Sequence, residues 1–150
     1  MNSHQKILAF LKTQKHMIVA TVNSKGYPEA AFVGFAEASD LSLIFGTNST
    51  SRKYQNIQQN KHVAIVFGGE KGITVQYEGE VSVLGGETLV NYKKIYFTKT
   101  PESQKYENNL HQVYFKVEPT WLRYTDFTKE EAEIFELLPT AAATTTKPTT

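Results

Sequence analysis

Cysteine is missing from this sequence, which excludes a disulfide framework, thiolate metal sites and cysteine nucleophiles together. Its absence fits a reducing cytoplasm. Long apolar runs are missing as well, since none approaches the roughly 20 residues that span a bilayer. The first residues, MNSHQKILAFLKTQKH, interrupt their apolar positions with Gln and Lys, unlike the core of a secretion signal. The expected address is the cytoplasm, with no membrane partner. Net charge is scarce too: it is only +1 over 150 residues. No global field therefore draws nucleic acid or an anionic membrane, and nucleic acid is not an expected partner. Anion binding must come from a local constellation. The four histidines, His4, His16, His62 and His111, lie without ligand spacing, so no metal site is expected.

Aromatic residues are plentiful by contrast, 12% of the chain, many of them in short β-like runs. Ile7, Leu8, Phe10 and Leu11 are spaced as on an amphipathic helix with Ser3 as its cap. Met17 to Asn23 reads as a β-branched strand, Ser24-Lys25-Gly26 as a tight turn, and Glu29 to Ala36 as the returning strand. Leu41 to Gly46 is a third strand, and the three together predict an antiparallel meander. Residues 50–59 read as a short helix capped by Thr50 or Ser51. Further strands are predicted at His62 to Phe67 and at Ile73 to Leu84, the latter with a bulge at Gly79. Val113 to Val117 and Trp121 to Tyr124 read as two more, separated by Glu118-Pro119-Thr120. Glu87 to Phe97 is spaced as a helix, and Lys129 to Leu138 reads as a short acidic one. The last stretch, 139–150, has six Thr and two Pro in twelve residues and is expected to be disordered.

At least six short strands with peripheral helices predict a mostly β (α+β) domain, an antiparallel β-barrel over residues 1–138. Strands and helices do not alternate regularly, which argues against a doubly wound parallel sheet.

The segment Phe45-Gly46-Thr47-Asn48-Ser49-Thr50-Ser51-Arg52-Lys53 carries the chemistry. A strand end runs through a hydroxyl-rich turn into a helix start with two adjacent cations. Free N–H groups and the macrodipole favour an anion there. Thr47, Ser49 and Ser51 add hydroxyl donors, Arg52 a bidentate fork and Lys53 a compact charge. A phosphate dianion suits such a pocket, although a plain capped helix with solvated cations reads the same way. Elsewhere Glu78 and Glu80 read as one solvated strand face, and Tyr92, Tyr96 and Phe97 as helix or dimer packing. The lysines Lys93, Lys94 and Lys99 read as a solvated face. Trp121, the sole tryptophan, reads equally as buried structure or as a stacking surface.

Thr-Asn at a strand end, then Ser-Arg-Lys and a helix reading Gln-Asn-Ile-Gln-Gln-Asn, resembles the FMN-phosphate segment of the pyridoxamine 5′-phosphate oxidase-like split-barrel family. Gly26-Tyr27-Pro28 resembles that family's opening to the flavin-edge strand. Asn60-Lys61-His62-Val63 stands where the family has Asn-Pro-x-Val, and the likeness runs from about Ile7 to Tyr124. The resemblance implies FMN as cofactor, with a deazaflavin, which related split barrels use, as one alternative. A non-catalytic flavin or haem binder serving as sensor or scavenger is another, since no substrate-binding motif is recognisable. It places the phosphate on Arg52 and Lys53 with Thr47 and Ser51 close by, beside Gly46. It lays the isoalloxazine and ribityl chain along Ala31, Phe32, Val33 and Gly34. It also implies a homodimer with the cofactor at the interface, where Thr74, Gln76 and Trp121 (or Arg123) of one protomer approach the flavin of the other. Ala31 stands where oxidases of pyridoxamine phosphate carry arginine, and Thr74 where they carry glutamine. The arginine–histidine pair of their substrate-phosphate motif is not evident around Arg123-Tyr124-Thr125. The resemblance therefore implies a general reductase or stress-related relative acting on a small molecule. No nucleophile–base set can be read from the sequence, and a flavin enzyme needs none, because the isoalloxazine does the redox chemistry.

Overall fold

A computed structural model describes residues 1–139 of the chain. Apart from Pro139, the expected disordered tail at 139–150 lies outside the described residues.

Helix α1 (Ser3–Thr13) is capped by Asn2, one residue before the expected Ser3. The Asn2 side chain accepts from the Gln5 amide while the Gln5 side chain accepts from the Asn2 amide, so two orphan donors are satisfied at once. Its buried face, Ile7 and Leu11, closes one end of the curled sheet. Strand β1 (His16–Val22) alternates as a half-buried strand should, with Met17, Val19 and Thr21 inward. It turns at Gly26, whose φ of +82° needs glycine, and returns as β2 (Pro28–Gly34).

The expected meander does not form. The predicted strand over Glu29 to Ala36 breaks at Phe35, and Ala36–Glu37 becomes a separate strand, β3. β4 (Leu43–Asn48) pairs with β3 and with a late strand, not with β2. The physical reason is Phe35. Its ring is fully buried, edge-on to Phe67 at 4.9 Å, so it pins a corner from which the chain crosses to the far end of the sheet. With β5 (His62–Gly68), β6 (Ile73–Val83) and β7 (Gln112–Asp126), the order is β2-β1-β5-β6-β7-β4-β3, antiparallel throughout. β2 and β3 thus sit at opposite ends of the sheet although one residue separates them. The result is a curled, open sheet, a half-barrel with helices around it.

Two late expectations are corrected. Val113 to Val117 and Trp121 to Tyr124 belong to one strand, because Pro119 falls opposite Gly79 where the β6–β7 register shifts. A bulge spares a proline the ladder bond it cannot donate. Lys129 to Leu138 is not a helix. Glu133–Leu137 forms β8 and pairs with the end of β7. There the Phe135 ring stacks on Tyr124 at 4.9 Å, and Lys6 and Lys129 reach Glu133. Pairing and stacking outweigh the helix propensity of an acidic run.

Two apolar clusters result. The larger fills the curl with Phe35, Phe45, Phe67, Tyr77, Phe115 and Leu122 among others. A smaller one joins the outer side of β4, through Ile44, to Tyr114 of β7 and Tyr96 of α3 (Gly86–Lys99). A 3-10 helix over Pro101–Tyr106, unforeseen from the sequence, follows α3. Among the described residues no helix is long and apolar enough to cross a membrane.

Candidate anion site and adjoining cleft

Helix α2 (Arg52–Gln59) starts where β4 ends. Of the two possible caps, Ser51 is the one used: its Oγ accepts from the Tyr54 amide at 3.3 Å. Thr50 instead turns back, its amide and hydroxyl both donating to Asn48 Oδ1. The Ser51 hydroxyl also lies 3.1 Å from that of Thr47, which is buried at the end of β4. With the Ser51 amide donating to the Asn48 carbonyl, the turn is fixed by its own bonds. The amides of Arg52 and Lys53 have no acceptor among the described residues. They are the free donors of a helix start.

The two cations differ. Lys53 is partly buried and has no ion-pair partner among the described residues, and burial pushes its pKa below the ordinary lysine value. Arg52 is exposed and gives Nη1 to the Glu29 carboxylate of β2 at 3.0 Å. Glu29 also accepts from Asn56 Nδ2 at 2.8 Å, and the same buried amide donates to Thr21 at 2.9 Å. The hydrogen bond from Asn56 holds the Glu29 carboxyl below the usual carboxylate range, assisted by Asn23 and Arg52. The sequence reading passed over Glu29, Asn56 and Thr21. A signal was there: Glu29 is the one acid in the otherwise uncharged strand PEAAFVG, and Asn56 lies four residues after Arg52 on the same helix face.

Adjoining the turn, with Asn48 in common, a cleft of about 470 Å³ opens between β2 and β4 and reaches the 3-10 helix. Val33, Gly34, Gly46, Asn48, Tyr106 and Gln112 are among its walls. Gly46 leaves room that its neighbours use: a Cβ there would come within 2.4 Å of Gln112 Nε2 and 3.3 Å of the Tyr114 ring, so the Gln112 side chain would have to move. Among the described residues β2 pairs only with β1, so its other edge leaves backbone donors and acceptors without a ladder partner toward this opening. Ala31 and Val33 pack toward the core, whereas Phe32 points out and stacks on His16 at 4.6 Å.

The expected site residues therefore fall into groups. Thr47, Ser51, Arg52 and Lys53 come together at the start of α2. Val33, Gly34 and Gly46 line the cleft. Thr74, Gln76 and Trp121 do not line it: they sit on β6 and β7. Gln76 faces outward and continues a row that runs through the register as Phe32, Ile18, Val66 and Gln76. Among the described residues no group of His, Asp and Glu gathers to hold a metal ion.

A curled antiparallel half-barrel with a hydroxyl-and-cation turn at the end of one strand defines a split-barrel protein with a candidate anion site. The chain belongs to the pyridoxamine 5′-phosphate oxidase family, whose model matches residues 3–126. Among curated relatives, the pyridoxine/pyridoxamine 5′-phosphate oxidase of Crocosphaera subtropica is 31% identical over 65% of this chain and 44% of its own length. That of Ehrlichia ruminantium is 31% identical over 67% of this chain and 52% of its own. The chain thus spans about half the length of these relatives. Among solved structures, a heme binding protein from Mycobacterium smegmatis superposes with a TM-score of 0.78, covering 93% of this chain and 59% of that one, at 11% identity. General Stress Protein 26 from Bacillus anthracis gives 0.71, covering 91% of this chain and all of that one, at 23% identity. Both likenesses support the fold.

Proposed function

We propose that this protein binds FMN through its phosphate at the start of α2 and works as a homodimeric oxidoreductase on a small molecule. The observation that carries the reading is Lys53, a partly buried cation without an ion-pair partner among the described residues, beside the paired hydroxyls of Thr47 and Ser51 and two helix amides that find no acceptor there either. A lone half-buried charge is unfavourable, and an anion on it relieves the cost. The residues present fit the cofactor's phosphate: two cations, two hydroxyls and two N–H donors belong to one turn and the helix start that follows it, with Arg52 held on the flank by Glu29. The free edge of β2 and the small Gly34 and Gly46 suit a flat ring system approached by backbone. When bound, the flavin supplies the hydride and electron chemistry. The chain itself anchors the phosphate, walls the cleft and limits water there. A nicotinamide donor and a small acceptor are the proposed substrates.

The homodimer is supported by the outward row of Phe32, Ile18 and Val66, 70%, 43% and 37% exposed, an apolar stripe across three neighbouring strands. A second copy on this face also gives Gln76, at the end of the row, a partner subunit to contact. Haem is the second reading. It is supported by His16, an exposed imidazole on the walls of both the cleft and the adjoining 580 Å³ groove.

Titration of the purified protein with FMN, followed by its visible band, tests the first reading. Replacing Arg52 and Lys53 together by alanine is expected to weaken FMN by roughly two orders of magnitude or more, since charge-assisted hydrogen bonds contribute about 1.5–3 kcal/mol each. Unchanged affinity in that variant would remove the phosphate assignment. A Soret band on adding haem, lost in His16→Ala, would favour the second reading.

A further inference from the structure

We propose that Glu29 is a built-in competitor for the phosphate: its carboxylate holds Arg52 when no ligand is bound, and an arriving anion must displace it. This rests on the anion-site reading above. The asymmetry of the Glu29–Arg52 pair carries the argument. The Arg52 side chain is 76% exposed, and Glu29 is its one ion-pair partner among the described residues. Glu29 is 19% exposed and is tied from beneath by Asn56, itself buried and bonded to Thr21. The acid is therefore the fixed member and the guanidinium the movable one.

Geometry gives the pair its consequence. Arg52 and Asn56 share one face of α2, and Glu29 lies along that flank with both of them. A guanidinium held there is committed to the side of the helix, whereas the free amides of Arg52 and Lys53 lie at its start. Of the two cations, Lys53 has no ion-pair partner among the described residues. A singly charged anion that takes Arg52 replaces one carboxylate with another and gains little. A phosphate monoester brings two charges and three oxygens, enough to engage Lys53, the hydroxyls and the amides while drawing Arg52 across. Glu29 thus sets a threshold of charge that favours a phosphate monoester over a carboxylate.

The test is Glu29→Gln, which keeps size and polarity and removes the charge, with the melting temperature as a control for folding. Affinities for FMN and riboflavin are measured by fluorescence quenching, and inorganic phosphate and acetate are titrated against the backbone amide NMR signals of Arg52 and Lys53. In E29Q the FMN-to-riboflavin affinity ratio is expected to rise about three- to fivefold, the scale of a competing exposed ion pair. Inorganic phosphate should tighten similarly, and acetate, which leaves the wild-type amides unmoved, should shift them. The gain should vanish when Arg52 is alanine. Weaker FMN or phosphate binding in E29Q would show that Glu29 only orients Arg52 and would overturn the proposal. An equal gain without Arg52 would overturn it too. If neither flavin binds any variant while inorganic phosphate still tightens in E29Q, the competitor role stands and the flavin reading falls.

Discussion

Single side chains in this protein carry electrostatic costs and gains that pH and substitution can expose. Lys53 is the clearest. Burial lowers its pKa, so its charged form opposes folding at neutral pH, and that opposition fades as pH rises through the lowered value. Lys53→Met should therefore melt higher than the wild type at pH 7 in the ligand-free state while binding FMN roughly tenfold or more weakly. Calorimetry and flavin titration on one sample check both signs, and a variant that melts lower would contradict the picture. Asp40 behaves in the opposite sense. Burial works against its charge, but hydrogen bonds from the Ser42 amide and hydroxyl outweigh it and hold the carboxyl below its ordinary range. That stability is present above the unfolded carboxylate value and is lost as pH falls through the folded one. The deficit of Asp40→Asn relative to wild type in urea melts should accordingly be largest at neutral pH and close in acid. Tyr77, fully buried, donates toward the carbonyls of Leu41 at 2.9 Å and Val117 at 3.2 Å. Tyr77→Phe should cost about 1–3 kcal/mol by leaving them unsatisfied, readable in denaturant melts.

At the level of strands and helices, local chemistry was legible and partnership was not. The Ser51 cap, the glycine turn after β1 and the bulge at Gly79 each follow from a residue's own conformational or hydrogen-bonding needs, and each stands in the structure. Pairing across long separations leaves no such mark. Nothing in Leu43–Asn48 says that its partner is Gln112–Val117, nor in Glu133–Leu137 that an acidic run will be a strand. The site divides the same way. The cations and hydroxyls of α2 were readable as one segment, whereas Glu29 and Thr21 join them only through folding. At the bulge, a Cβ on Gly79 would come within 2.6 Å of the Glu118 carbonyl and 2.7 Å of Val117. Gly79→Ala should lower stability by about 1–3 kcal/mol, because the long β6–β7 ladder has no room to yield there. A change near zero would mean that the bulge relaxes freely.

For the whole molecule, the outward stripe of Phe32, Ile18 and Val66 is the feature a lone subunit does not explain. If two copies meet there, Phe32→Asp should shift the mass measured by light scattering from dimer to monomer and weaken flavin binding with it. Retention of the dimer would place the interface elsewhere. The corner at Phe35 bears on how the chain folds at all. Because the two outermost strands are consecutive in sequence, neither rim can peel off as an independent unit: loosening β2 pulls directly on β3, and through it on β4 and β7. Slow-exchanging amides at the two rims should then open together, with one common free energy, rather than fray separately as the ends of a flat sheet do. A cut in the backbone between Gly34 and Ala36, with new termini there and the old ones joined, would uncouple them and turn one cooperative opening into two.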